Sequence, residues 1–166
     1  IVFQFSILFL KSVLNKKILS NFKSSKQQLQ HIKKKQVPGA VSIALYPSNY
    51  SVVKFEYKAL APNYKLLNSL NKKKISEDKF IRLYNDQLKE LNPQNVVEHL
   101  NFITGDYEPV IMCKCAKTKF CHRHLVAQWL EKELGIKIIE YNVPETSRKE
   151  GYLVKKKVPS LFSDGD

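Results

Sequence analysis

Residues 109–134 read PVIMCKCAKTKFCHRHLVAQWLEKEL. A proline precedes the apolar run Val110 to Cys113, which ends in Lys114-Cys115. So short a run between a proline and a polar loop predicts a buried strand rather than a helix. Side chains alternate along a strand, so Ile111, Cys113 and Cys115 share one face. The loop Ala116 to Phe120 follows. Leu125, Val126, Trp129, Leu130 and Leu134 then recur at helical spacing, predicting an amphipathic helix that starts at Cys121-His122-Arg123-His124. One turn separates Cys121 from Leu125 and His122 from Val126, so both point inward. His124 shares the line of Gln128 and Glu131 and is expected on the wet face, with Arg123 at the border. All three cysteines and the only tryptophan of the chain lie in this strand–loop–helix unit.

The first turn of a helix has unpaired backbone N–H groups and a partial positive charge. It suits an anion and is expected to lower the pKa of a cysteine there. One reading is therefore an enzyme in which Cys121 is a thiolate nucleophile, His122 an acid–base group and Arg123 the holder of an anionic small molecule or nucleotide. A second is a zinc site of Cys113, Cys115, Cys121 and His122. Cys-x-Cys with five residues to the next cysteine is not a usual structural zinc spacing, but strand and loop can bring the four together. A third is a module that grips nucleic acid through lysines without turnover. Taken singly, Cys113 reads as a small core residue. Clustering at a helix start is costly for folding alone, which favours function for Cys121, His122 and Arg123 as a group. Two thiol chemistries are excluded by spacing. Neither Cys115 nor Cys121 has an arginine six positions on, as tyrosine phosphatases need, and no Cys-x-x-Cys is present for thioredoxin-like exchange.

Ile111-Met112-Cys113, Cys121-His122-Arg123 and Leu125-Val126-Ala127-Gln128-Trp129-Leu130 together resemble the family known as domain of unknown function 488, in its shorter, phage-like branch. Ser20-Asn21-Phe22, Val41-Ser42-Ile43-Ala44 and Leu60-Ala61-Pro62 are weaker matches. The similarity runs from about Lys17 to Tyr141. Many members end an early strand in Asp-Val-Arg, where this chain has Ser42-Ile43-Ala44-Leu45. The resemblance implies an α/β fold and a site at the Cys-His-Arg turn, without naming a reaction.

The remaining composition bounds the reading. A chain of 166 residues fits one domain with a real core plus ragged ends. Its 28 Lys and Arg against 15 Asp and Glu give a net charge of +13. Arginine occurs only at Arg82, Arg123 and Arg148, so the charge favours loose phosphate attraction over bidentate base reading. It equally describes a solvated lysine-rich surface. An odd cysteine count, with Cys113 and Cys115 too close along one strand for an ordinary disulfide, points to a reducing, cytoplasmic compartment.

Along the chain, residues 1–16 are expected to be an apolar leader or appended segment, with a leader outside the fold preferred. The apolar stretch before Lys11 is too short for a membrane span, and no membrane association is expected. Residues 17–142 form a single α/β domain in this reading. Lys17 to Phe22 is its first strand, Ser24 or Ser25 caps a helix, and Ala40 to Leu45 is a second strand. The stretch from Ser48 to Tyr64 reads as a loop over the strand ends. Helices follow over Asn63 to Leu70, from Ser76 along Phe80, Leu83, Tyr84, Leu88 and Leu91, and from Asn92-Pro93 to Gly105. Gly135 ends the Cys-His-Arg helix, and Ile136 to Tyr141 is a last strand, giving a parallel βαβ unit. Residues 143–166 are expected to be a basic, loosely ordered tail. The sum is a three-layer Rossmann-like sandwich with a mostly parallel sheet. Ligands of such sheets bind beyond the carboxyl ends of the strands, so Cys115, Ser20, Phe22, Tyr46 and Tyr57 join the expected site. No cofactor is expected in the enzyme reading, and zinc in the alternative.

Overall fold

A computed structural model of the chain describes residues 6–11, 37–46, 53–115, 119–140 and 146–155. In chain order these form β1 (Ser6–Lys11), β2 (Ala40–Ser42), β3 (Phe55–Glu56), a 3-10 turn (Lys58–Leu60), α1 (Tyr64–Asn71), α2 (Glu77–Lys89), α3 (Pro93–Thr104), β4 (Val110–Cys113), α4 (His122–Leu134), β5 (Lys137–Glu140), β6 (Thr146–Lys149) and β7 (Tyr152–Lys155). The expected first strand and its following helix, with Ser20 and Phe22, lie outside the described residues.

The helices start where local chemistry tells them to. The Asn63, Ser76 and Asn92 side chains accept hydrogen bonds from the N–H groups of Leu66, Lys79 and Asn95. Each satisfies one of the donors that a helix start leaves unpaired. Glu77 and Asp78 in the first turn of α2 suit its dipole, and Pro93 opens α3. Phe80, Tyr84 and Leu88 bury the inner stripe of α2. Leu83, expected on that stripe, is 46 % exposed, and Ile81 packs against the core instead.

The protein is a mixed α/β fold with four described helices. Its main sheet has the order β3-β2-β4-β1-β5, of which β3, β2 and β4 form a parallel trio. β1 is antiparallel to both β4 and β5. β4 and β5 therefore run the same way on either side of α4, as the sequence predicts, but do not pair directly. Ser6–Lys11 thus corrects the preferred leader outside the fold: this part of the segment is a strand within the sheet, the alternative in which an appended strand joins the domain. The reason is that without β1 the far edge of β4 and the facing edge of β5 would expose their backbone groups, which a strand between them satisfies. The second strand is shorter than Ala40 to Leu45, although Ile43 still donates to the Met112 carbonyl at 3.0 Å. The expected loop over residues 48–64 contains β3 and the 3-10 turn.

Gly39 fixes the approach of β2 to β4. A Cβ there would lie 2.0 Å from the Glu108 carbonyl oxygen, so no larger residue fits without moving the backbone. A second correction concerns the expected loose tail: residues 146–155 form a β-hairpin. Its two turn residues, Glu150 and Gly151, both have positive φ, the geometry that matches the twist of a tight hairpin. The hairpin packs back on α4, where Cys121 N–H donates to the Gly151 carbonyl at 2.9 Å and Phe120 stacks edge-on with Tyr152. The core joins Val41 and Ile111 of the sheet to Phe80, Leu100, Val126 and Leu130 of the helices.

Candidate functional site

β4 ends at Cys113 and α4 begins just after Cys121, its N-cap. The strand end and the helix start present their side chains to one another. Cys113 Sγ lies 3.5 Å from Cys115 Sγ and 3.8 Å from His122 Nδ1. The ligating atoms of Cys113, Cys121 and His122 all lie within 4.8 Å of one another, and all three residues are buried. His122 Nε2 is 3.0 Å from the Ile43 carbonyl, just past β2. A carbonyl only accepts, so Nε2 carries a proton, and Nδ1 faces the Cys113 sulfur. The Tyr84 ring stands edge-on to the imidazole at 5.7 Å and fixes its plane.

The sulfurs do not share a proton affinity. Hydrogen bonds from Cys115 and then Cys121, helped by the nearby His122, hold the Cys113 thiol well below its ordinary range against the opposing effect of burial. Cys115, which donates to Cys113, is pushed up to about 12. Burial first, and the Cys113 sulfur second, push Cys121 well above its usual value. The helix start was expected to depress Cys121; desolvation outweighs the dipole at a residue 1 % exposed. Of the three sulfurs, Cys113, which reads in isolation as core filling, is thus the one whose surroundings favour the thiolate.

Arg123 and His124 turn out differently from their helical-wheel placement. Both are 0 % exposed. Arg123 Nη2 donates to Glu140 Oε1 at 3.3 Å, and lies 2.9 Å from His124 Nε2. His124 Nε2 must accept there, so the ring is neutral, and burial followed by the Arg123 charge lowers its pKa to about 3. The expected wet face of α4 is covered by the hairpin: Gln128 donates to the Arg148 carbonyl at 3.2 Å, and Arg148 pairs with Glu131 at 3.1 Å. Glu140, at the end of β5, was not singled out from sequence. The signal available was a lone acid closing an apolar strand, which needs a buried partner of opposite charge.

Of the other expected contacts, Cys115 joins the cluster. Tyr57 is engaged elsewhere, with its hydroxyl 3.3 Å from His99 Nδ1. Tyr46 is 53 % exposed, just beyond β2. Glu56 pairs with Lys58 at 3.2 Å. Lys58 in turn donates to the Ala44 and Leu45 carbonyls at 2.8 and 3.1 Å, pinning the chain beyond β2. A cleft of about 280 Å³ opens between α2 and α4, lined by Ile81, Asn85, Leu125 and Trp129 among others, and contains none of the cluster residues. Buried chemistry rather than cavity size therefore marks the site. Among the described residues no helix is long and apolar enough to cross a membrane.

Neither the curated proteins nor the solved structures include a match to the chain. The family model DUF488-N3a, described as the active DUF488-N3 subclade, matches residues 17–134, a span that includes β2 to α4 and every cysteine of the cluster. With most of its length matched by that model, the chain belongs to the DUF488 family.

Proposed function

We propose that this protein is a small enzyme on a Rossmann-like, three-layer frame that binds and acts on a phosphate-bearing or other anionic small molecule, a nucleotide included, at the Cys113, Cys115, Cys121 and His122 cluster. One observation carries the reading. The carboxyl ends of the parallel strands β2 and β4 and the start of α4 meet at His122, whose ring bridges Ile43 and Cys113. This is where parallel sheets present ligands, and a helix start there offers N–H groups to an anion. Arg123, paired with Glu140, contributes positive charge from behind the turn rather than a direct grip on substrate. Three thiols side by side suit a reducing, cytoplasmic setting.

The test is ligand binding read at the cluster. Nucleoside mono- and diphosphates and inorganic phosphate, at constant ionic strength, are expected to raise the melting temperature and slow iodoacetamide labelling of the half-buried Cys115. Unchanged melting and unchanged labelling across the series would refute the reading. A second reading, nucleic-acid binding through the lysine-rich surface, draws on the net charge of +13. It requires filter-binding affinity for RNA or DNA that falls steeply between two salt concentrations.

A further inference from the structure

His122 is oriented as a metal-ligating histidine is oriented. Such a ring donates its far N–H to a carbonyl or carboxylate, which fixes the tautomer and raises the basicity of the ligating nitrogen. Here the Ile43 carbonyl takes the Nε2 proton at 3.0 Å, and Nδ1 faces Cys113 Sγ at 3.8 Å. Tetrahedral zinc, with bonds of about 2.3 Å to sulfur and about 2.0 Å to nitrogen, places its ligand atoms about 3.5–3.8 Å apart. The Cys113 to His122 separation falls on such an edge, and Cys121 Sγ is within 4.8 Å of both. The ligands come from a strand end and from a helix start packed on the same sheet, so their backbones are held by the fold. Burial of the two thiols and the imidazole favours metal over unligated side chains, because it strips away competing water.

We propose that Cys113, Cys121 and His122 bind one thiophilic divalent cation, zinc by ligand type, as an open site with three protein ligands. Cys115, half-buried and beside Cys113, stands at the mouth of the fourth position and is not required for binding. Two sulfurs and one imidazole with an open position form a recognised catalytic zinc set, and the open position takes an oxygen of the bound molecule. The inference rests on the preceding reading only in treating the cluster as the functional centre.

Purified full-length protein, reduced and stripped with chelator, is titrated with cobalt(II) chloride alone. The expected result is one cobalt per chain, with the visible absorption of a tetrahedral ion and the near-ultraviolet band of thiolate ligation, both displaced by an equivalent of zinc. Cys115→Ser is expected to keep one metal per chain. Cys113→Ser, Cys121→Ser and His122→Asn are each expected to weaken zinc by more than the 10–100-fold typical of changes outside the ligand set, about 100-fold or greater. Their fold is checked by circular dichroism. A colourless cobalt titration of the folded, unaltered protein overturns the proposal without recourse to any variant. Loss of metal in Cys115→Ser overturns the three-ligand assignment. Nucleotide binding without metal refutes this inference alone, and metal without any anionic ligand refutes only the preceding one.

Discussion

In the first turn of α4 three consecutive polar side chains, His122, Arg123 and His124, are buried, whereas in its last turn Lys132 and Glu133 are exposed and Leu134 is only half-buried. The last turn follows the ordinary grammar of a surface helix: a cation near the carboxyl end, then Gly135 in the left-handed conformation closing it. The first turn breaks that grammar. The partners of its first two polar groups come from far along the chain, Ile43 for His122 and Glu140 for Arg123, and Arg123 in turn meets His124. One end of the helix is stabilised locally and the other by the tertiary structure. The proposed site lies at the end whose stability cannot be local.

The sharpest way to break the comparison is to remove one long-range partner. Glu140→Leu leaves the Arg123 guanidinium buried without its carboxylate, and breaking such a pair costs about 3–5 kcal/mol. The double variant Arg123→Met, Glu140→Leu removes both charges and is expected to recover most of that loss, because the cost lies in the uncompensated charge. Urea unfolding of the three proteins measures it; equal losses in single and double variants would mean that the pair itself, and not its balance, holds the turn. Midway along the helix, Leu130→Ala in the core is expected to cost about 2–5 kcal/mol through the cavity it leaves, with no partner able to rescue it. At the far end, Gly135→Ala forces a Cβ into a left-handed conformation, with φ of 63°, and costs about 1 kcal/mol. A thermal melt that ranks these otherwise would place the weight of α4 elsewhere.

The same contrast explains what was legible in the chain. β4 was readable because a short apolar run between breakers has few other fates, and α2, α3 and α4 because Ser76, Asn92, Pro93 and Gly135 punctuate them locally. The meeting of Cys113, Cys115, Cys121 and His122 was readable too, since strand, loop and helix start are adjacent in sequence. His124 was misplaced because helical periodicity puts it with Gln128 and Glu131, and nothing in periodicity shows that a hairpin twenty residues on covers that face. β1 was assigned outside the fold for the same reason: its partners, β4 and β5, lie a hundred residues or more away. Cys113 reads as core and is buried, whereas its closeness to Cys115 and His122 depends on where those side chains fall, not on its own position in β4.

The smallest expected effect is the most diagnostic of the local end. Lys132 is exposed and sits in the last turn of α4, where its only clear contribution is to face the partial negative charge of the helix carboxyl end. Lys132→Ala should therefore cost no more than about 0.3–1 kcal/mol at low ionic strength. Surface electrostatics of this kind are screened, so the difference should nearly vanish in about 1 M salt, where the Debye length is about 3 Å. The loss in Glu140→Leu, by contrast, concerns a pair with side chains at 0 % exposure and should persist in the same salt. Urea midpoints of both variants at the two salt concentrations separate the cases. A Lys132→Ala deficit that survives high salt would show that the carboxyl end of α4 also depends on a tertiary contact, and the division between its two ends would fall.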